Sequence, residues 1–89
     1  MFDWDEANLD HIADHGISAA EAEDALLDSR RIPAPAYQGT NERRRGVLGA
    51  TIAGCLLFVV FTYRNELVRI ITARNANAQE KRRYERRGK

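Results

Sequence analysis

The run Gly46-Val47-Leu48-Gly49-Ala50-Thr51-Ile52-Ala53-Gly54-Cys55-Leu56-Leu57-Phe58-Val59-Val60-Phe61-Thr62-Tyr63 carries no charged side chain and is bounded by Arg43-Arg44-Arg45 and Arg64. About 18–20 apolar residues suffice for a transmembrane helix, so length alone nominates a membrane span. Against that reading, Gly46, Gly49, Thr51, Gly54 and Thr62 dilute the hydrophobicity, and Ala53-Gly54 falls where a tight connection would. Val47 to Ile52 and Cys55 to Tyr63 therefore read as two strands joined at Ala53-Gly54. The second is so rich in Val and Phe that it predicts a strand buried on both faces. Leu67 through Ala73 is a further β-rich run, reached by a tight turn at Arg64-Asn65-Glu66, and supplies a strand partner.

Upstream of this hairpin the pattern is helical. Phe2 and Trp4 alternate with Asp3 and Asp5, which predicts a short strand with one apolar face. Leu9, Ile12 and Ala13 then recur at helical spacing, and His15-Gly16 ends that helix, glycine supplying the left-handed cap. Ser18 and Glu21 form a capping-box pattern flanked by Ile17 and Ala22 at staple positions. Ala22, Ala25 and Leu26 give the second helix a narrow face of small residues suited to close packing, and Asp28-Ser29 ends it. Arg31 to Tyr37, with Pro33 and Pro35, reads as an edge strand, because proline cannot donate to an interior ladder. Gln38 to Glu42 reads as a loop. Asn77 and Glu80 pair as helix-starting residues, opening a basic helix from Ala78 to about Arg87.

Eighty-nine residues predict one domain over 1–89 and leave no room for a nucleotide-binding fold plus a substrate domain. Hydrophobic residues at 44% and charged residues at 30% argue against overall disorder. One cysteine, Cys55, excludes an internal disulfide framework and a multi-cysteine zinc site, fits a reducing compartment, and on its apolar strand reads as a buried, inert thiol. No basic segment precedes an apolar run at the N-terminus, so no secretory signal is expected and the cytoplasm is the expected location.

The net charge of +1 conceals a segregation: residues 1–29 hold nine acids and no Lys or Arg, whereas residues 30–89 hold fourteen bases and four acids. Such asymmetry suits binding a polyanion on one side; the alternative is that the halves neutralise each other within the fold. Apart from Arg30 and Arg31, the bases sort into Arg43-Arg44-Arg45, then Arg64, Arg69 and Arg74 on or beside the last hairpin, and Lys81, Arg82, Arg83, Arg86, Arg87 and Lys89 at the C-terminus. In a hairpin followed by a helix, the second and third groups can converge on one groove. Guanidinium groups match phosphate oxygens bidentately and would stabilise the extra charge of a pentacoordinate phosphorus. Tyr84 could stack on a base, donate a proton or simply pack the helix on the sheet. His11 and His15 have two-histidine metal spacing but neither a flanking glutamate nor a third ligand, so no metal or other cofactor is expected.

Several local patterns then point to one family. Phe2-Asp3-Trp4-Asp5-Glu6, with Asn8 and His15-Gly16-Ile17-Ser18 following, resembles the opening of the BrnT toxins, a Phe-x-Trp-Asp strand, a helix ending in His-Gly-Val-Ser and an acidic second helix. Leu56-Leu57-Phe58-Val59-Val60-Phe61-Thr62-Tyr63-Arg64 resembles their central strand. Val68-Arg69-Ile70-Ile71-Thr72-Ala73-Arg74-Asn75-Ala76 is similar to their Ile-Arg-Ile-Ile-Ser-Ala-Arg-x-Ala segment, and Glu80 to Tyr84 matches the helix after it. Asp14 stands where relatives often carry a base, and Asn65-Glu66 replaces a glycine-containing turn. The resemblance implies an α+β, RelE-like fold: a twisted antiparallel sheet with two N-terminal helices and a C-terminal helix. It further implies a type II ribonuclease toxin that cleaves RNA, messenger or ribosome-associated, without a metal, by attack of the ribose 2′-OH. A cognate BrnA-like ribbon-helix-helix antitoxin would neutralise it, so that DNA is met only indirectly and no membrane is involved. Carried onto this chain, the catalytic candidates are Arg64, Arg74 and Tyr84, and the RNA-binding candidates are Arg43, Arg44, Arg69, Lys81 and Arg82. The alternative is the same fold with weak or lost catalysis, acting with its partner as a co-repressor.

Overall fold

The computed structural model describes residues 1–36 and 43–87. Its elements run α1 (Glu6–Ala13), α2 (Ala19–Leu27), β1 (Ile32–Ala34), β2 (Arg45–Ala50), β3 (Leu56–Arg64), β4 (Leu67–Asn75) and α3 (Ala78–Arg86). The four strands form one sheet in the order β1-β2-β3-β4, every neighbouring pair antiparallel. This is the expected α+β arrangement, compatible with a RelE-like fold. The uncharged run 46–63 is a β-hairpin, and no helix among the described residues is long and apolar enough to cross a membrane.

Local chemistry sets each helix boundary. Asp5 with Asn8, Ser18 with Glu21, and Asn77 with Glu80 each form a reciprocal capping box, satisfying donors that a helix N-terminus otherwise leaves open. α1 ends in a Schellman arrangement: Gly16 at φ 75° lets Ile17 N–H reach Ile12 O at 3.1 Å and Gly16 N–H reach Ala13 O at 2.9 Å.

α1 and α2 cover one face of the sheet. Ile12, Ile17, Ala22 and Ala25 pack there with Val47, Leu57, Val59, Phe61, Ile70 and Ala73. The small-residue face of α2 meets β2 backbone to backbone, because a Cβ added at Gly49 would lie 2.0 Å from Ala25 O. α1 sits toward the β4 edge. Asn8 Nδ2 donates to Ile70 O at 3.2 Å and to Asp3 O at 2.9 Å, so a buried amide caps an edge carbonyl where Leu9 and Ala13 were expected to pack. Leu9 and Ala13 are exposed instead. Alternation puts Gly46, Leu48, Phe58 and Val60 on the opposite face, paired as Gly46↔Val60 and Leu48↔Phe58. Leu57, Val59, Val60, Phe61 and Thr62 are buried, so β3 is sandwiched over much of its length, as its composition predicts.

Several expectations shift. The N-terminal strand reduces to a single parallel bridge, Phe2↔Val68, because Asp5 caps α1 three residues later. The edge strand is confined to Ile32–Ala34, and Tyr37 with the loop at 38–42 lies outside the described residues. The β2–β3 connection is wider than Ala53-Gly54. Thr51 N–H donates to Cys55 O at 2.9 Å and Cys55 N–H to Thr51 Oγ1 at 3.0 Å, which places Ile52 to Cys55 at the tip. Cys55 is therefore exposed, not buried, since it belongs to this turn rather than to the apolar strand. The β3–β4 turn holds as predicted, with Asn65 at φ 51° and Glu66 at φ 66° and Arg64 paired to Leu67. Two consecutive positive φ values match the twist of a two-residue hairpin.

Candidate nucleic-acid interface

α3 has no buried residue, so polar ties rather than an apolar face hold it against the second face of the sheet. The first is Glu80. Its Oε1 accepts from Asn77 N–H at 2.9 Å to start the helix, and its two oxygens accept from Arg74 Nη1 and Nη2 at 2.8 and 3.0 Å. One carboxylate thus sets the helix origin and ties it to β4. The hydrogen bonds from Arg74 hold the Glu80 carboxyl below the ordinary range, against the opposing effect of burial. Arg74 also lies 4.5 Å over the Phe58 ring and donates to Asn75 O at 3.2 Å.

The second tie is Asp28. Its Oδ2 accepts from Tyr84 Oη and from Ala50 N–H at 2.9 Å, and its Oδ1 from Arg30 N–H at 2.9 Å. Burial pushes this carboxyl up, but the bonds from Tyr84, Ala50 and Arg30 and the charge of Arg87 prevail and leave it below the ordinary range. Burial first, and then the Asp28 carboxylate, push the Tyr84 phenol up. At neutral pH Tyr84 is a protonated donor facing an ionised acceptor. Arg87 lies 3.6 Å over the Tyr84 ring and donates to the Tyr84 carbonyl. Arg83 adds a third tie, Nη2 to Pro33 O at 3.3 Å.

Between α3 and the sheet lies a cleft of about 580 Å³, lined by Ala50, Gly54, Cys55, Leu56, Asn75, Lys81, Tyr84 and Glu85. Its apolar floor (Ala50, Leu56), aromatic edge and ammonium are groups that can hold a nucleobase and an adjacent phosphate. Lys81, Arg82, Arg83 and Arg86 lie exposed along α3 beside it.

A second basic cluster lies at the other end of the sheet. Arg45 opens β2 opposite Phe61, Arg43 O accepts from Thr62 Oγ1 at 2.8 Å, and Arg64 closes β3. Arg44 lies between Arg43 and Arg45 in this cluster and, with Arg45, borders a separate groove against Pro33 and Pro35. Arg64 pairs with Leu67 while Arg74 opposes Phe58, so roughly 20 Å of strand separates them at ~3.3 Å per residue. One phosphate cannot meet both.

The family model described as "Ribonuclease toxin, BrnT, of type II toxin-antitoxin system" matches residues 4–80 of the chain. The chain belongs to the BrnT family. No curated protein matches it. The BrnT match extends from Trp4 to Glu80 and so contains the helix pair, the whole sheet and the Arg74–Glu80 tie, while Lys81, Arg82 and Tyr84 follow it directly.

Within this BrnT chain the candidate residues divide three ways. Arg74, Lys81, Arg82 and Tyr84 gather at α3; Arg43, Arg44 and Arg64 gather at the far end of the sheet. Arg69 joins neither, because its Nη2 pairs with Asp5 at 3.0 Å and its Nη1 lies 3.6 Å from Asp3. That pairing is the one place where the acidic N-terminal segment directly neutralises a candidate arginine among the described residues. The expected single groove is thus two clusters. His11 and His15 stack edge to face at 5.9 Å, and no cluster of three or more His, Cys, Asp or Glu among the described residues is placed to hold a metal ion. Asp28 and the double role of Glu80 were not singled out from sequence. The partner of Asp28 is 56 residues away, whereas the Asn77–Glu80 pattern marked Glu80 as a cap but gave no sign of Arg74.

Proposed function

We propose that this ribonuclease toxin is a metal-independent endoribonuclease whose cleavage centre is the α3 cleft. The observation that carries this reading is the convergence of Lys81 and Tyr84 on one cleft with an apolar floor, with Arg74 held on Glu80 next to the lining residue Asn75 and the exposed arginines of α3 alongside. The ribose 2′ oxygen attacks the adjacent phosphorus and the P–O5′ bond breaks. The products are a 2′,3′-cyclic phosphate and a free 5′-hydroxyl. The 2′ proton passes to water and the departing 5′ oxygen takes a proton from water, while Tyr84, its hydroxyl hydrogen held by Asp28, lines the cleft beside the reacting ribose. Lys81 and Arg74 stabilise charge on the equatorial oxygens. Arg74 has Nε and one Nη2 hydrogen beyond the three N–H groups used on Glu80 and Asn75. Arg64, with Arg43 and Arg44, holds the RNA backbone further along the sheet, and Arg82 holds it beside the cleft. A cognate BrnA-like ribbon-helix-helix antitoxin neutralises the toxin and carries its contact with DNA.

The test is cleavage of a synthetic RNA by the purified toxin in EDTA. Cyclic phosphate ends, and complete resistance when the scissile ribose is replaced by deoxyribose, are expected; cleavage of the deoxyribose substrate would overturn the 2′-OH mechanism. The clamp of Glu80 on Arg74 favours a second reading, a catalytically weak module that acts as a co-repressor with its partner. Full-rate cleavage by wild type removes that reading.

A further inference from the structure

On the other side of Ala50 from the α3 cleft lies a second depression, of about 420 Å³, lined by Asp24, Leu27, Asp28, Ala50, Thr51 and Ile52. Its two largest apolar side chains belong to no core: Leu27, the last residue of α2, is 60% exposed, and Ile52, at the tip of the β2–β3 turn, is 92% exposed. Single exposed aliphatics are ordinary, but two flanking one depression form a patch. The wall between them is anionic. Asp24 touches only Ile52 N–H, at a long 3.4 Å, among the described residues, so its carboxylate keeps most of its acceptor capacity. This wall belongs to the segment 1–29, which has nine acids and no Lys or Arg. Such a surface repels RNA and attracts a cationic protein segment.

We propose that this Leu27–Ile52 depression is the docking site of the antitoxin, through a segment that places an aliphatic side chain next to a Lys or Arg. The aliphatic group fills the space between Leu27 and Ile52, and the cation meets Asp24. Because Ala50 lines both depressions and Asp28 binds Tyr84 on one side while lining the docking site on the other, a chain seated here overhangs the α3 cleft and closes it to RNA. The closing step rests on the RNA reading above; the docking step does not.

The test is a calorimetric titration of the antitoxin encoded with this toxin into wild-type toxin and into the Leu27→Ser/Ile52→Ser double variant. Both positions are exposed, so the fold is expected to survive, and circular dichroism checks it. Removing two buried aliphatic contacts should weaken the complex by about 100-fold. Asp24→Asn should weaken it several-fold, and added salt should weaken the wild-type complex. A dissociation constant within about twofold of wild type in the double variant overturns the proposal. So does light scattering that finds wild-type toxin alone dimeric and the double variant monomeric, because the depression would then belong to a second copy of this chain. RNA cleavage by the free double variant should equal wild type; its loss would place the depression in the RNA site and also overturn the docking assignment. If wild-type toxin cleaves no RNA, the cleavage reading falls, and the titration still decides the docking site.

Discussion

α2 and α3 are both nine-residue helices with a capping box, yet they are attached to the same sheet in opposite ways. α2 buries Ala22 and Ala25 and presses its backbone against Gly49, so its position is fixed by volume exclusion and apolar burial. α3 buries no residue and is fixed by Arg74–Glu80, Tyr84–Asp28 and Arg83–Pro33. The acidic helix is thus part of the core, and the basic helix is an attachment held by charge. This leaves α3 free to present its cations outward, and makes its docking sensitive to pH and to single polar substitutions in a way that α2 is not.

The largest effect is expected on the α2 side. Gly49→Ala forces a Cβ into Ala25 O and should cost about 3 kcal/mol, near the upper end for overpacking. Thermal unfolding followed by circular dichroism should show Tm lowered by roughly 10–20 °C. A normal Tm would mean that α2 stands off the sheet and that the contrast with α3 is false.

The next effect belongs to α3. Asp28→Ala leaves Tyr84 Oη and Ala50 N–H without their acceptor and should cost about 2 kcal/mol. Amide hydrogen exchange should accelerate in α3 and at Ala50 far more than in α1. Uniform acceleration would instead make α3 an integral part of the cooperative core.

Titration sharpens the same point. The Asp28 and Glu80 carboxyls are held below their ordinary values in the folded chain, so their contribution is present above the ordinary carboxylate range and lost as pH falls through the folded values. The Tyr84 phenol is held above its ordinary value. Its contribution is therefore complete below about 10 and lost as pH rises through the folded value. Chemical shifts of α3 amides should show a plateau between these limits with changes at both ends. A flat profile in acid would contradict the carboxylate ties.

The smallest effect is a gain. Glu66 sits at φ 66°, where a side chain costs about 1 kcal/mol and glycine is at ease. Glu66→Gly should stabilise the chain by roughly 0.5–1 kcal/mol in urea unfolding without altering α3, because the turn lies at the opposite end of β4 from Arg74.

What was legible in the sequence follows from how local each feature is. The capping pairs Ser18–Glu21 and Asn77–Glu80, the Gly16 terminus and the turn at Asn65-Glu66 are each written within a few residues, and the structure holds them all. The hairpin reading of 46–63 rested on glycine placement and composition, which also bear on pairing, and it stands. The separation of Arg64 from Arg74 was not legible. Adjacency in a hairpin sequence says nothing about which end of a nine-residue strand each side chain occupies. Cys55 was assigned by the apolar run after it, although one turn residue suffices to expose it. Asp28 carried no local sign of its role in holding α3 because, beyond its short-range bond from Arg30 N–H, it accepts from Ala50 and Tyr84 far along the chain. The family pattern carried the ribonuclease assignment, which charge segregation alone left as polyanion binding.

The most direct test of the central claim, that α3 and its cleft carry the RNA chemistry, is the initial rate of RNA cleavage by wild type, Lys81→Ala and Arg64→Ala side by side. The account predicts that Lys81→Ala lowers kcat by about tenfold or more, from a lost charge contact in the transition state. Arg64→Ala should raise KM with kcat near wild type. A Lys81→Ala enzyme with unchanged kcat, alongside an Arg64→Ala enzyme that has lost it, would place the chemistry at the far end of the sheet and contradict the account.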